Sequence, residues 1–456
     1  MATSFHNGVS LHYQARSLIP SFALLATSSP PGIAKYCLST PFEQYGPPLC
    51  KQCNSPSSSK LCSPLRVQRA AAASKEFAGV QAVKTLAKYD EKELPPLLAS
   101  LAIEGLPPCQ ESMFADEALA CILKSRPADL LELESYYNVC NSYISFLHCG
   151  TASVDRLAAV SALCTVMTVM DDILFDSQDG VMLKKLGIDA SILGSPERIR
   201  EYLHSLDVLF RQEEEPQNSD RIQDMVWKLG CDFREMSNPE WFRLCSDATL
   251  DFFYANHDSY CANLVGDSTN FTDLESYTQM RTRTTGGRLP SLFVEFCNNL
   301  FLPTEIREHP VIQQLSIASH TYHSYINDIF SYSKELIDES QHSFNLVNVL
   351  MNQGEGMLLP QAAWKAVNLI NSIAHDFMEL ETQLPTWEDD QWNSDVRRYV
   401  EGLKELMSGD LYWHSMNKRY RHSEAPFPEL RDVNVSLMPK ADRVKFVRKE
   451  NVERYI

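Results

Sequence analysis

The sequence of 456 residues lacks an apolar run long enough to cross a lipid bilayer. Its apolar segment 157–170 contains no charge but covers only fourteen positions, whereas a membrane-spanning helix needs about 20. Glycine is also scarce, with 17 residues. These two absences argue against a membrane span and against a turn-rich β fold.

Basic residues are scarce in most of the chain. Residues 1–74 contain six Lys or Arg and one acid, and the remainder contains 35 basic and 58 acidic residues, a net charge of −23. Nucleic-acid binding requires a basic surface, so this composition argues against it. If the protein binds an anion, local cations must overcome the acidic background, and divalent metal ions would do so well.

A disulfide framework and the common nucleotide-binding motifs are absent as well. Four of the 13 cysteines lie in residues 1–74, and the other nine are scattered through apolar stretches, as is typical of reduced, buried thiols. The sequence contains neither GxxxxGK nor GxGxxG.

The first 74 residues differ in composition from the rest. They are poor in acids, weakly basic and rich in Ser, Ala and Pro, which is typical of an organelle transit peptide. We expect a plastid leader, with a disordered N-terminus of a cytosolic protein as the alternative.

The body of the chain shows helical periodicity. Apolar residues recur at three- and four-residue intervals in 116–149, 195–215 and 309–340, and strand-like alternation is hard to find. Gly, Pro, Asn and Ser punctuate the pattern, for example at "GTAS" and "GGRLP". We predict one all-α domain over residues 75–421 and a basic tail over 422–456 that either packs on the body or extends from it.

Three aspartates follow the apolar segment, at Asp171, Asp172 and Asp176. On an α-helix Asp172 and Asp176 share a face, and Asp171 lies about 100° away. Clustered carboxylates at a helix C-terminus repel each other unless a cation lies between them, and oxygen ligands suit Mg²⁺ or Mn²⁺. A solvated loop after a buried helix is the alternative.

The segment "NDIFSYSKE" (327–335) places a second set of oxygen atoms on one helix. Asn327, Ser331 and Glu335 stand at i, i+4 and i+8, so they form one polar ridge beside apolar neighbours. An amide oxygen, a hydroxyl and a carboxylate could bind Mg²⁺. An ordinary helix surface with internal hydrogen bonds is the alternative.

Two further segments carry cations. "YTQMRTRTTGGRLP" (277–290) places Arg281, Arg283 and Arg288 around a helix break, an arrangement suited to phosphate binding. Arg419 and Tyr420 form an adjacent pair of donors near the end of the body. Two oxygen-rich and two cationic segments together indicate a polyanionic substrate, such as a diphosphate ester, bound through divalent ions.

These motifs resemble those of class I terpene synthases, and in particular the microbial-type terpene synthase-like proteins of non-seed plants. The resemblance covers roughly residues 80–420. "NDIFSYSKE" fits the family's second metal motif, (N/D)D-x-x-(S/T)-x-x-x-E, and Arg281 stands 46 residues before Asn327, the interval at which bacterial-type members place a diphosphate-sensing arginine. "DDILFD" fits the variant DDxxxD rather than the commoner DDxxD, and "NLVNVLM" (345–351) follows the metal motif.

The resemblance implies a single helical bundle around an apolar pocket. The expected reaction is Mg²⁺-dependent ionisation, with about three Mg²⁺ ions, of geranyl, farnesyl or geranylgeranyl diphosphate. The metal ligands would be Asp171, Asp176, Asn327, Ser331 and Glu335. The substrate diphosphate would contact Arg281, Arg419 and Tyr420, Asp172 would pair with Arg419 on closure, and Thr284 and Thr285 would be the linker and effector positions. Phe175 and Phe330 are candidates to line the pocket, although packing in the core is the commoner role of such residues.

Two alternatives remain open from the sequence. A chain-elongating prenyl diphosphate synthase would share the bundle and the metals, but it generally carries a second Asp-rich motif where this chain has Asn327, Ser331 and Glu335. A helical interaction protein would present the same acids on its surface and would need no Mg²⁺. The sequence leaves open whether the protein is a monomer or a homodimer.

Overall fold

Helices account for nearly all the regular structure of the described chain. A computed structural model describes residues 89–101, 103–125, 131–176, 178–264, 273–338, 344–353, 357–421 and 425–431. The predicted leader, 1–74, and most of the predicted tail lie outside these ranges. No β-strand occurs within them, so the prediction of an all-α fold is confirmed.

Fifteen α-helices follow one another along the described residues. They are α1 (Leu97–Ser100), α2 (Ala115–Ser125), α3 (Leu131–Leu147), α4 (Val154–Met170), α5 (Gly180–Leu186), α6 (Pro196–Arg211), α7 (Arg221–Met236), α8 (Pro239–Leu264), α9 (Leu274–Thr284), α10 (Leu289–Cys297), α11 (Thr304–Arg307), α12 (Pro310–Asp338), α13 (Leu346–Asn352), α14 (Leu359–Glu381) and α15 (Asp390–Met416). Short 3₁₀ turns occur at Glu91–Glu93, Ala190–Ile192, Lys418–Tyr420 and Pro428–Leu430.

Helix α4 lies at the centre of the bundle. Its N-cap Ser153 accepts a hydrogen bond from the backbone N–H of Arg156 at 3.4 Å. Twelve of its seventeen residues are buried, and it packs against α2, α3 and α7. A helix that is apolar on all sides has no solvent face and therefore belongs in the core.

By length and composition, α4 and its extension could cross a membrane. The segment Val154–Phe175 is the one helix among the described residues that passes this test, but 83% of its most apolar 18-residue window is buried inside the protein. The buried core helix of a globular domain passes the same test, so this finding is weak evidence for a membrane span.

The acid cluster lies on a turn of π-helix that continues α4. This turn spans Asp171–Asp176. Its hydrogen bonds connect residues five apart instead of four, and such turns often occur at functional sites. The α-helical spacing that placed Asp172 and Asp176 on one face therefore does not apply to this segment.

The predicted break at "GGRLP" separates α9 from α10. Gly286 and Gly287 have φ of 111° and 54°, in a region that residues with a Cβ rarely adopt. Pro290 then occupies the first turn of α10, where its missing N–H removes no helical hydrogen bond. The break allows α9 to pack against α8 and α12 while α10 packs against α15.

The described part of the tail packs on the body. Ala425, Phe427 and Leu430 are buried. Arg431 pairs with Glu91 at 2.8 Å. Residues 425–431 therefore contact the beginning of the described chain.

Candidate active site

A cavity of about 240 Å³ opens between α3, α4, α8, α9, α12 and α15. Nine of the eleven residues that the sequence predicts for the site line it: Asp171, Arg281, Thr284, Thr285, Asn327, Ser331, Glu335, Arg419 and Tyr420. Apolar and aromatic side chains complete its wall, among them Val139, Met167, Phe252 and Trp413. Residues that are far apart in the sequence therefore share one cavity, which combines oxygen ligands, cations and apolar surface.

The π turn contributes Asp171 to the cavity. Asp171 directly follows the last residue of α4, so the buried helix fixes its position. The backbone of Asp176 ends the turn, and its side chain lies outside the described part of the chain. The predicted metal role of Asp176 therefore stays a prediction.

Asp172 lies next to the cavity and contacts Arg419. The Arg419 Nη2 to Asp172 Oδ1 distance is 3.5 Å, and the Tyr136 hydroxyl donates to Asp172 Oδ2 at 2.8 Å. Burial, and then the carboxylate charge, raise the pKa of Tyr136, so its hydroxyl remains a donor. Asp172 and Arg419 are thus in contact, and the role of this pair in closure stays a prediction. Tyr136 is a further neighbour of Asp172 that the sequence did not indicate.

Helix α12 presents the second set of oxygen atoms. The Ser331 hydroxyl donates to Glu335 Oε1 at 2.6 Å, and Asn345 Nδ2 donates to Glu335 Oε2 at 2.9 Å. Burial raises the pKa of Glu335, and Arg281 acts against that rise. Asn345 is the N-cap of α13, which explains how the segment 345–351 supports the site.

Arg281 is fixed by two neighbours on α12. Its Nε donates to Asp328 Oδ1 at 2.7 Å and its Nη2 donates to Asn327 Oδ1 at 2.7 Å. Asp328 is fully buried and also accepts hydrogen bonds from the Tyr277 hydroxyl and from the backbone N–H of Leu346, the latter at 3.2 Å. Burial raises the pKa of Asp328, whereas Arg281 and Tyr277 oppose that rise. Asp328 stands inside the recognised motif, but its sequence context did not show which residue it contacts.

Thr284 and Thr285 end α9 beside Arg281. Both hydroxyls donate to the backbone carbonyl of Arg281, at 3.1 and 2.9 Å, and the Thr285 hydroxyl also lies 2.5 Å from that of Ser324. Arg283 instead pairs with Asp251 at 2.6 Å and is not among the residues that line the cavity. The polar wall formed by α9 therefore consists of Arg281 and the two threonines.

The two phenylalanines considered for the pocket wall do not line it. Phe330 is fully buried with its ring centroid 6.0 Å from that of His414, and Phe175 packs against Tyr260 at 5.6 Å. Both pack in the interior around the site.

Comparison with known proteins agrees with this geometry. Residues 162–376 match the family described as terpene synthase family 2, C-terminal metal binding. The chain is 33% identical over 172 residues to sesquiterpene synthase Agr1 of Cyclocybe aegerita, which is 38% of this chain and 48% of that protein. It is 32% identical over 133 residues to 10-epi-cubebol synthase of Sorangium cellulosum, 29% of this chain and 41% of that protein. The chain spans about half the length of the curated relatives that it matches.

Solved structures resemble most of the helical body. Germacradien-4-ol synthase from Streptomyces citricolor superposes with a TM-score of 0.55 and 17% identity, over 69% of this chain and 97% of that one. The fold is that of a terpene synthase. The prediction of a terpenoid synthase-like bundle is confirmed.

Within this terpene synthase fold, the donor set fits a hard divalent ion. Asp171, Asn327, Ser331 and Glu335 offer carboxylate, amide and hydroxyl oxygens to one cavity. Each Glu335 oxygen accepts one hydrogen bond from a side chain, and a carboxylate oxygen has a second lone pair for a metal. Among the described residues, no three His, Cys, Asp or Glu side chains cluster closely enough to hold a metal alone. A metal here would also need the amide, the hydroxyl and substrate phosphate oxygens, as Mg²⁺ commonly does.

Several cavity residues were missed by sequence reasoning. Lys334 lies in "NDIFSYSKE" but is not one of the motif's defined positions. His323 belongs to a His-x-x-His pattern (320–323) with no further metal-binding residue nearby in the sequence, so this pattern does not indicate a metal site. No sequence pattern marks Tyr143 or His414 as part of the site, because single aromatic residues on a helix usually pack in the core. Spatial proximity alone identifies them.

Proposed function

We propose that this protein is a class I terpene synthase, which converts a prenyl diphosphate into a terpene hydrocarbon or alcohol plus diphosphate. One observation carries the proposal: oxygen ligands from Asp171 and from the segment 327–335 share one cavity with Arg281, Arg419 and Tyr420, beside an apolar wall. A metal-bound diphosphate requires the oxygen ligands and the hydrogen-bond donors, and a hydrocarbon chain requires the apolar wall.

The residues of the chain divide into two roles in this reaction. Arg281, Arg419 and Tyr420 donate hydrogen bonds to the diphosphate and stabilise the charge that develops on it as it leaves. The apolar wall binds the prenyl chain and excludes water from the carbocation. Trp413 offers an aromatic face that attracts a cation.

Mg²⁺ is the metal that we propose, with Mn²⁺ as a substitute. Asp171, Asn327, Ser331 and Glu335 would bind it, with Asp176 as a further candidate. When bound, it would neutralise the diphosphate and make it a better leaving group. The metal-binding description of the matched family supports a metal, and the number of ions, about three, is part of the proposal.

Farnesyl diphosphate is the substrate that we favour. Several relatives carry the name sesquiterpene synthase, among them those of Cyclocybe aegerita and Postia placenta, and sesquiterpenes are made from this C15 substrate. Placement in the branch from non-seed plants rests on the motifs alone, since the relatives named above come from fungi and a bacterium.

The test is incubation of the full chain with C10, C15 and C20 prenyl diphosphates, with Mg²⁺ or with EDTA. We expect Mg²⁺-dependent release of diphosphate and one main set of volatile products from the C15 substrate. Asp171→Ala and Asn327→Ala should lower the rate by about 100-fold or more, whereas Asp251→Asn, a surface change, should not.

Other outcomes identify the alternatives. Elongated prenyl diphosphates formed after addition of isopentenyl diphosphate would indicate a prenyl diphosphate synthase. No diphosphate release from any substrate, together with unchanged behaviour of Asp171→Ala, would contradict catalysis and favour a helical interaction protein.

We propose in addition that residues 1–74 direct the protein to plastids and that the protein is a monomer or a homodimer. The acid-poor, Ser-rich composition of this segment supports the first proposal. A fluorescent fusion of residues 1–74 tests it in plant cells, and diffuse cytosolic fluorescence would contradict it. Light scattering after size-exclusion chromatography measures the oligomeric state.

A further inference from the structure

A buried polar cluster forms part of the otherwise apolar wall of the cavity. Tyr143 on α3, His323 on α12 and His414 on α15 line the cavity, and Asp410 lies fully buried behind them. Asp410 Oδ1 lies 3.1 Å from Nδ1 of His323, 3.1 Å from Nδ1 of His414 and 3.2 Å from the Tyr143 hydroxyl. Three groups that can donate therefore surround one carboxylate oxygen, and Nδ1 of His414 also lies 2.9 Å from the backbone carbonyl oxygen of Asp410.

The carboxylate of Asp410 remains ionised. Burial favours its neutral form, but His323 and His414 outweigh this effect and lower its pKa well below the usual range. Ionised Asp410 only accepts hydrogen bonds, so both histidines present a protonated Nδ1 to it. When such an imidazole carries no second proton, its lone pair is on Nε2.

The two histidines use that lone pair differently. Nε2 of His414 lies 3.2 Å from Nδ2 of Asn327, which is a donor because Oδ1 of the same amide accepts from Arg281. His414 therefore orients Asn327. The Tyr143 hydroxyl lies closer to Nδ1 of His323, at 3.1 Å, than to Nε2, at 3.4 Å. Its single proton can be donated to Asp410, which leaves the lone pair of His323 Nε2 available to the cavity.

His323 also lies at the correct depth to meet the prenyl chain. It precedes Asn327 by four residues on α12, so both lie on the same helix face about 6 Å apart along the axis. A diphosphate beside Asn327 would place its hydrocarbon chain next to His323. The neighbouring His148 and His320 have pKa values lowered to about 3 by burial, so they stay neutral and add no opposing charge.

We infer that His323 is a catalytic base that ends the reaction by taking a proton from the last carbocation, and that Asp410 is a positioning residue for it. This inference rests on the proposed synthase function. In this step a C–H bond next to the cationic carbon breaks, its electron pair forms the new C=C bond, and the proton binds Nε2 of His323. Asp410 stabilises the resulting imidazolium, which returns the proton to water after the product leaves. Diphosphate, a hydrocarbon and one proton are thus formed from one substrate.

The experiment compares the wild-type chain with His323→Gln, Asp410→Asn and a matched control, His320→Gln. His320 lies on the same helix and is buried, but it is not among the residues that line the cavity. Each protein is incubated with farnesyl diphosphate and Mg²⁺, and diphosphate release and product composition are measured across pH. Melting curves verify that each variant folds. If one of the two variants does not fold, the other, which lies in a different helix, still tests the inference.

We expect His323→Gln to release diphosphate within about threefold of the wild-type rate, while the share of its main hydrocarbon falls about tenfold or more. Other alkenes or water-quenched alcohols should replace it. Asp410→Asn should lower the same share and move its pH dependence, because the imidazolium formed loses its counter-charge. The control should match the wild type.

Unchanged products from folded His323→Gln would overturn the inference and leave the synthase function standing. Loss of diphosphate release in both folded variants would also overturn it, since it would place these residues in ionisation. No diphosphate release by the wild type would overturn the synthase function, and the base with it.

Discussion

Two ion pairs on α9 allow a direct test of what fixes the end of the cavity that we propose binds the diphosphate. Arg281 pairs with Asp328, and Arg283, two positions further, pairs with Asp251. The side chains of the first pair are 11% and 0% exposed, and those of the second pair are 40% and 46% exposed. The same type of contact on one helix therefore exists in a buried and in an exposed form.

The buried pair should matter far more for stability. Asp328→Asn keeps the shape of the side chain but removes the negative charge that balances Arg281. Leaving a buried charge without its counter-charge typically lowers the free energy of unfolding by about 3–5 kcal/mol. Glu335 also interacts electrostatically with Arg281 and compensates part of the charge, so we expect the lower end, about 3 kcal/mol. Asp251→Asn removes an exposed pair, worth about 1 kcal/mol at most.

These free energies translate into measurable melting shifts. An unfolding entropy of about 2.1 cal/mol/K per residue gives about 0.7 kcal/mol/K for a body of about 340 residues. The melting temperature should therefore fall by about 4 °C in Asp328→Asn and by about 1 °C in Asp251→Asn. Calorimetry on the two variants and the wild type measures both shifts.

Diphosphate release provides an independent measurement on the same proteins. Asp328→Asn should lower the rate by about 100-fold, because a neutral amide replaces the carboxylate whose charge-assisted hydrogen bond orients Arg281. Asp251→Asn should stay within about twofold of the wild type. Equal melting shifts in the two variants, or a fully active Asp328→Asn, would refute the assigned role of the buried pair.

Three further outcomes are expected. Gly409→Ala would place a Cβ 2.1 Å from a backbone carbonyl oxygen of α3, so denaturation should show a loss of stability of about 1–3 kcal/mol. Gly180→Ala is the control, because its Cβ would make only ordinary contacts with a leucine side chain at 3.5 Å and an alanine side chain at 3.6 Å. Equal losses in the two variants would contradict the close approach of α15 to α3. Burial alone would lower the pKa of His257, but an acidic neighbour, a thiol and a backbone carbonyl raise it to about 9. The stability that His257 contributes is therefore complete below its ordinary pKa of 6.5 and lost as the pH rises through about 9. Urea denaturation at a series of pH values should show this loss in the wild type and not in His257→Gln. The same pH dependence in both proteins would contradict the role of His257. Tyr136→Phe removes the hydrogen bond to the carboxylate that faces Arg419, so kcat/KM should fall about tenfold with little change in stability, and unaltered kinetics would contradict the positioning role.

Helices and their breaks were predictable from the sequence because each depends on residues close together in the chain. Apolar residues three and four apart locate both ends of α12 within one or two positions. For α6 they locate the start within one position, but the pattern runs four residues past its end. Gly286 and Gly287 predict a break because few other residues adopt their backbone conformation. The π turn was not predictable, since "DDILFD" suits an ordinary α-helix equally well.

The site was predictable only where its residues follow a short motif. Asn327, Ser331 and Glu335 occur at a fixed helical spacing, so the sequence brings them together. Asp410 contacts His323 across two helices, and neither its neighbours nor its spacing distinguishes it from a surface aspartate. Its burial follows from the packing of α12 against α15, which no local pattern specifies.

The charges at the cavity explain how a chain with such an acid excess could bind an anion. Each arginine at the site already contacts a carboxylate, Arg281 at Asp328 and Arg419 at Asp172, so neither pair adds net positive charge. The pairs orient donors toward the cavity without attracting a diphosphate strongly. Asp171 adds a further negative charge to its wall. Lys334 also lines the cavity, but its charge only offsets that of Asp171. On the proposed function, divalent cations would supply the positive charge that a diphosphate requires, so the carboxylates at the cavity would couple anion binding to metal binding.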